Sequence, residues 1–418
     1  MSSVAVSKSR INGIVEAMPS KSYAHRIMIC AALCNSPVTV SGITGSDDML
    51  ATMGCLKAMG AQFEPVGIDE YIITPIKQTK KAVLDCIESG STLRFMLAVA
   101  SAVGGEYTFT GKGRLAERPN DALLSVLSTH GVRVKGNGLP LEVCGHLLPG
   151  EYVVDGAVSS QFVSGLLLAA PLTGGKVTVT VEGGLKSRGY VDITVDVMKT
   201  FGVDVKVEGQ SFTVEAGQKY LSPDRVSVEG DWSNAAFPLA LGLLCGRVEV
   251  TGLNAQSLQG DMRAIDVMRL LGGNVKNEKG AFIARESRLF GAEFNVENII
   301  DAAPVLSVLC AFASGESRIC GVSRLRIKES DRLQAIIDIV QALGRSVRLE
   351  GDELIIGGSF SADKIKINGM NDHRIVMSGA VVGACVGDTV VTDIEAVNKS
   401  YPNFFEQFRN LGGVVDVI

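Results

Sequence analysis

"LKAMGAQFE", residues 56–64, joins the end of an apolar run to an alternating strand through Gly60. Glycine just past a helix end adopts the left-handed backbone region without a Cβ clash, so the phrase reads helix, cap, strand. The pattern returns as "LSTHGVRVK" (127–135), "MKTFGVDVK" (198–206), "MRLLGGNVK" (268–276), "VQALGRSVR" (340–348) and "FRNLGGVVD" (408–416). The glycines, Gly60, Gly131, Gly202, Gly272, Gly344 and Gly412, stand 68 to 72 residues apart. Self-similarity at a fixed period predicts repeated supersecondary units, here six.

A second marker keeps the same period. Apolar helices are predicted at "SKSYAHRIMICAAL", "SGSTLRFMLAVAS", "SSQFVSGLLLAAPL", "DWSNAAFPLALGLL", "DAAPVLSVLCAFA" and "DHRIVMSGAVVGA". Each opens on Ser or Asp, which favours an N-cap, and then runs apolar nearly all round, the mark of a helix buried on every side. Gly-rich turns and strands follow. Each unit reads as strand, buried helix, strand, exposed helix, then strands, an α/β class. One unit is too small to bury its inner helix, whereas three together can enclose their helices within sheets. Six units then give two lobes of three. The division falls near Tyr220–Asp231, which holds Pro223 and turn residues. The expected lobes are residues 20–228 and residues 1–19 plus 229–418. The strand before Pro19 lacks a partner in its own repeat and is expected to pair in the second lobe.

Composition sets the bounds. The chain has 418 residues, 46% of them hydrophobic, and a net charge of −5. Nothing global points to nucleic acid or a membrane surface, so any cationic site must be local. There is no apolar run of eighteen residues and no apolar leader in Met1–Ser9, so neither a membrane span nor a secretory signal is expected. The nine cysteines, such as Cys30, Cys245, Cys310 and Cys385, sit mostly in apolar segments and read as buried reduced thiols. Cys30 and Cys34 lack a companion pair or histidine, which argues against zinc.

The inner helix starts carry the unusual polar residues. Helix N-termini hold unpaired N–H groups and attract anions. If three inner helices of a lobe point the same way, Lys21, Ser22 and Arg26 meet Gly90, Ser91 and Arg94, and Ser159, Ser160 and Gln161. In the other lobe Asp301 meets Asp372, His373 and Arg374. "RLRIKESDRLQAI" adds Arg324, Arg326, Lys328, Glu329 and Arg332; "ERPND" adds Arg118, and "NKSYPNFF" adds Lys399. Lys328 and Arg332, four apart, are expected on one helix face. Two such lobes facing each other imply a cationic cleft for substrates with several negative charges, arginine suiting phosphate and carboxylate through its fork. Asp301 and Glu329, acids among cations, are candidates for proton transfer. Taken singly, each cation reads as a solvated surface group, Asp301 as an N-cap, Arg94 as a tie between helices, and His25 and His373 as structural donors. Recurrence at one phase of the repeat favours a site.

These residues resemble the 5-enolpyruvylshikimate-3-phosphate synthase family over essentially the whole chain. The resemblance rests on "SKSYAHR", "SGSTLR", "ERPND", "SSQF", "SRGYVDIT", "VEGDWSNAAF", "DAAP", "KESDR", "DHR" and "NKSYPNFFEQ", in this order and at these spacings. It implies a two-lobed inside-out α/β barrel, three repeats per lobe with helices buried inside sheets. It implies transfer of the enolpyruvyl group of phosphoenolpyruvate to the 5-hydroxyl of shikimate 3-phosphate, with release of phosphate. By resemblance, Lys21, Ser22, Arg26, Ser159, Ser160, Gln161, Ser187, Asp301 and Lys328 hold shikimate 3-phosphate, with Tyr190 nearby. Lys21, Gly90, Arg118, Gln161, Arg332, Arg374 and Lys399 hold phosphoenolpyruvate. Asp301 takes the hydroxyl proton, Glu329 protonates the methylene carbon, and Lys21 is the second candidate in that proton traffic. No metal or cofactor, a monomer and a cytoplasmic location are the further expectations, as is sensitivity to glyphosate, for which Gly90 leaves room.

Some positions depart from the family pattern. Glu88 replaces a usual Asn and is expected to face away from the phosphoenolpyruvate pocket. Ser91 replaces Thr, Phe95 stands where many members have Pro or Leu, and Arg324 stands where an Asn often contacts the shikimate ligand. The nearest rival, UDP-N-acetylglucosamine enolpyruvyl transferase, typically carries a cysteine in the segment matching Gly111–Asp121, which has none here. RNA 3′-phosphate cyclase-like enzymes need a nucleotide site and a catalytic histidine, and none of His25, His130, His146 and His373 has that context. A non-catalytic anion-binding repeat protein leaves Asp301 and Glu329 unexplained.

Overall fold

The computed structural model describes residues 2–77, 80–156, 158–361 and 363–418. The chain divides into two compact units: a continuous one, Pro19–Glu229, and a composite one, Met1–Met18 with Gly230–Ile418. Each has its own hydrophobic core.

Six four-stranded sheets repeat one plan. In the second repeat Lys81–Asp85 runs parallel to Gly105–Thr110; that strand pairs antiparallel with Leu141–Gly145, which pairs antiparallel with Val132–Lys135. A parallel pair needs a crossover, and the inner helix Gly90–Val103 supplies it. The six glycines read as caps all have positive φ, from 72° at Gly344 to 103° at Gly60. The left-handed turn they make carries the chain from the second helix of each repeat into the edge strand of its sheet.

The six inner helices are Lys21–Ala32, Gly90–Val103, Ser160–Ala169, Trp232–Cys245, Ala303–Phe312 and His373–Val386. The second is typical: Leu93, Phe95, Met96, Leu97 and Val99 are all sealed from solvent. Full burial of one such side chain contributes roughly 1.5–3 kcal/mol, which a single four-stranded sheet could not provide on every face of its helix. Five helices carry side-chain caps: Ser20 accepts from the Tyr23 N–H, Ser89 from Thr92, Ser159 from Gln161, Asp231 from Asn234 and Asp372 from Arg374. The fifth helix breaks the pattern. Its N-cap is Ala302, with no capping side chain, so Asp301 is not an N-cap.

The N-terminal strands complete the composite unit. Ile11–Glu16 pairs parallel with Gly246–Thr251, and Ser3–Ser7 lies between Thr389–Thr392 and Val414–Val417. In the continuous unit Arg225–Ser227 supplies the missing strand beside Val38–Ser41. All nine cysteines are free; Cys144, Cys320 and Cys385 are only partly buried, unlike the expectation for Cys385. No helix among the described residues is long and apolar enough to cross a membrane.

Candidate active site

In the continuous unit the three inner helix starts are laced together. Arg94 donates from Nη1 to Gln161 Oε1 at 2.7 Å and to Ser159 Oγ at 3.3 Å, and Gln161 Nε2 donates to Ser91 Oγ at 2.8 Å. Gly165 permits this approach, since a Cβ there would lie 2.7 Å from the Arg94 carbonyl oxygen. Arg26 donates to the Ser22 carbonyl, to Thr194 Oγ1 at 2.7 Å, to Ser164 Oγ and to the Tyr190 carbonyl. Burial pulls the Arg26 guanidinium down to about 10, still cationic at neutral pH. Arg26 and Arg94 also lie over the rings of Phe95 and Phe162, at 4.8 and 5.2 Å from the centroids. Phe95 thus has a packing role at its departure from the family pattern. Arg94 is a tie between helices, as expected of it taken singly.

Lys21 opens the first inner helix, and its Nζ lies 2.6 Å from Asp48 Oδ2, with both side chains largely buried. Ser160 is buried behind the Ser159 cap, and Ser187 is buried with φ of 54°, a strained geometry for a serine. Arg118 ends the short helix Gly113–Glu117, and its guanidinium lies against Gly90. Glu88 is half-buried, and a Cβ added to Gly113 would lie 2.7 Å from its Oε1. His25 bonds Thr52 Oγ1 through Nδ1 at 2.7 Å. Burial, then Lys21 and Arg26, hold its pKa well below the ordinary range, so it is a neutral structural group.

The composite unit gathers acids and cations around Arg332. Arg332 donates to Asp301 Oδ1 at 2.8 Å and to Asp372 Oδ2 at 2.8 Å, and pairs with Glu329 Oε2 at 2.7 Å. Burial alone would lower its pKa, but Asp372, Glu329 and Asp301 outweigh that and hold it well above the usual value. Asp372 is fully buried, whereas the Asp301 and Glu329 side chains keep 22% and 21% of their exposure. Lys328 Nζ lies 3.6 Å from Asp301 Oδ1. Burial, opposed by Asp301, pushes the Lys328 ammonium down to about 8. Arg374 takes neutral partners, Ser233 Oγ at 2.6 Å and Asn234 Oδ1 at 3.0 Å. Lys399 donates to the Asn371 carbonyl at 2.5 Å. His373 is buried beside Asp372. Arg324 lies in the short helix Ser323–Ile327.

Two sequence readings need correction. Lys328 and Arg332 do not share a helix: Lys328 ends a short 3-10 helix and Arg332 begins Arg332–Ala342. Asp331 caps that new helix by accepting from the Gln334 N–H, which breaks the helical run. The two cations meet through Asp301 instead. Asp301, read singly as a cap, is the acid they share. Asp48 was not singled out from the sequence. Its acidic run "SDD" reads only as a good helix start, and nothing local points to Lys21.

The family model for EPSP synthase (3-phosphoshikimate 1-carboxyvinyltransferase) matches residues 6–408. The chain is 35% identical to the 3-phosphoshikimate 1-carboxyvinyltransferase of Clostridium novyi (strain NT), covering 100% of this chain and 99% of the relative. It is 37% identical to the same enzyme of Clostridium kluyveri, with 100% and 99% covered. An EPSP synthase structure from Acinetobacter baumannii superposes with a TM-score of 0.84 at 24% identity, covering 100% of both chains. The enolpyruvyl transferase NikO from Streptomyces tendae gives 0.81 at 18%, covering 100% of this chain and 98% of the other. These solved structures share the inside-out α/β architecture, with sheets packed around buried helices. Whole-length agreement of sequence and fold leaves one conclusion: the chain belongs to the EPSP synthase family.

Proposed function

We propose that the chain transfers the enolpyruvyl group of phosphoenolpyruvate to the 5-hydroxyl of shikimate 3-phosphate, releasing phosphate, and that the cation clusters of both units serve this reaction. Each substrate carries a phosphate and a carboxylate, so the two repel one another unless fixed cations neutralise them. Lys21, Ser22, Arg26, Ser159, Ser160, Gln161, Ser187, Asp301 and Lys328 hold shikimate 3-phosphate. Lys21, Gly90, Arg118, Gln161, Arg332, Arg374 and Lys399 hold phosphoenolpyruvate.

The observation that carries the chemistry is that Asp301 and Glu329, two partly exposed carboxylates, pair with one buried arginine. Both acids help to satisfy Arg332. An incoming anion competes for that guanidinium and releases the acids for proton work. Glu329 protonates the methylene carbon, positive charge develops at the neighbouring carbon, and the 5-hydroxyl attacks there while Asp301 takes its proton. Phosphate leaves the tetrahedral intermediate towards cations already in position, which lowers the barrier electrostatically, while the Glu329 carboxylate takes a proton back from the new methyl group and so restores the enol double bond. Holding both reactants together contributes further. The protein works as a monomer in the cytoplasm.

The test is phosphate release from phosphoenolpyruvate with shikimate 3-phosphate as acceptor and UDP-N-acetylglucosamine as the comparison. Release with shikimate 3-phosphate alone is expected. Release only with the sugar nucleotide would overturn the assignment.

A further inference from the structure

Arg332 and Arg374 are both sealed from solvent in the composite unit, yet their partners differ in kind. Three carboxylates pair with Arg332 within 2.8 Å, Asp301 and Asp372 of them by hydrogen bonds. Around Arg374 the bonded partners are neutral, and Asp301 Oδ2 stands off at 3.9 Å. A guanidinium bonded to carboxylates has much of its field cancelled, whereas neutral acceptors fix its direction and leave the charge in place.

Both side chains that hydrogen-bond the Arg374 guanidinium come from the start of the fourth inner helix, in the motif "DWSNAAF". Ser233 Oγ donates to Asp231 Oδ1 at 2.5 Å, which turns its lone pairs towards Arg374 Nη2. Asn234 Nδ2 donates to the Ser400 carbonyl at 3.1 Å, which fixes the amide so that Oδ1 accepts from Arg374 Nη1. Ser400 Oγ also donates to Oδ1, at 3.4 Å. The Phe237 ring lies 5.8 Å from the guanidinium carbon. Asn234 therefore joins Arg374 to the backbone beside Lys399.

We infer that Ser233 and Asn234 are positioning residues, neutral acceptors that aim Arg374 at the anionic groups of phosphoenolpyruvate without cancelling its charge, with Asn234 setting the Lys399–Ser400 turn at the same time. This rests on the function proposed above. A tie between helices would need only the bonds; a buried guanidinium whose hydrogen-bonded side chains are both neutral, with Asp301 no closer than 3.9 Å, is what points to an anionic ligand.

The experiment compares Ser233→Ala, Ser233→Thr and Asn234→Asp with the parent enzyme, reading kcat, KM for each substrate and Tm. Ser233→Ala should raise KM for phosphoenolpyruvate about tenfold or more, the loss of one charge-assisted hydrogen bond, with KM for shikimate 3-phosphate and kcat nearly unchanged. Ser233→Thr should restore the parent values. Asn234→Asp, which sets a carboxylate on Arg374, should raise KM for phosphoenolpyruvate at least as much. If Ser233→Ala does not fold, Ser233→Cys, close in volume but a weak acceptor, carries the same expectation. A fall in Tm with both KM values unchanged, or equal rises in both, would reduce these residues to a helix tie and overturn the inference. A parent enzyme that releases no phosphate would instead fail the assigned reaction.

Discussion

A methyl group at Gly90 is a sharp probe of the donor site. The residue opens the second inner helix with negative φ, so Gly90→Ala introduces no backbone strain. An ideal Cβ there would lie 2.7 Å from Arg118 Cζ and 3.0 Å from Nη2. Carbon pairs settle near 3.5–4.0 Å, so the guanidinium must retreat by roughly 1 Å. The short helix Gly113–Glu117, which positions Arg118, is largely exposed and can yield. A displaced guanidinium loses much of its charge-assisted bond to an anion, worth about 1.5–3 kcal/mol. KM for phosphoenolpyruvate should therefore rise about tenfold to a hundredfold, since 1.4 kcal/mol is about a factor of ten. Stability should hold or improve, because alanine is the better helix residue by up to about 1 kcal/mol. Steady-state kinetics with phosphate detection, a direct titration of shikimate 3-phosphate and a thermal melt separate these effects. An unchanged KM for phosphoenolpyruvate, or a lowered Tm with both affinities weakened alike, would refute the reasoning.

Glyphosate, a compact phosphonate, should inhibit competitively with phosphoenolpyruvate; an inhibition titration without competition would count against the Gly90 pocket. Glu329→Gln should lower kcat by about a hundredfold or more and change KM little, as expected for a proton donor, and a variant with normal turnover would remove Glu329 from the mechanism. Burial pushes the Lys328 ammonium down to about 8, which fixes a sign. Its ammonium binds the acceptor phosphate below that pH, so KM for shikimate 3-phosphate should be flat below pH 8 and rise towards about tenfold per unit above it. Lys328→Arg should abolish that rise, and an identical profile in the variant would exclude Lys328. Asp372→Asn breaks a buried pair with Arg332 and should cost about 3–5 kcal/mol of stability. Urea unfolding followed through the single tryptophan, Trp232 of the composite unit, measures it, and an unchanged midpoint would show that Asp301 and Glu329 suffice.

The sequence by itself determined the repeat, the caps and the inner helices. Glycine after a helical turn, a Ser or Asp before an apolar run, and alternation in a strand are all decided within a few residues by backbone sterics and side-chain periodicity. That is why Gly60 and its five counterparts all have positive φ, and why five inner helices have the caps their first residues imply. It also showed that the cations recur at one phase, and within each unit those starts come together. Tertiary structure alone decided which charges meet. Lys21 finds Asp48 27 residues away, Arg94 finds Ser159 65 residues away, and Arg374 finds Asn234 140 residues away. Asp301 was legible as a cap or an acid, and only the folded chain brought Arg332 and Lys328 to it. Such pairs depend on how neighbouring inner helices pack. Local propensity carries no record of that, because a charge at a helix start is equally at home in water until a distant partner removes the water.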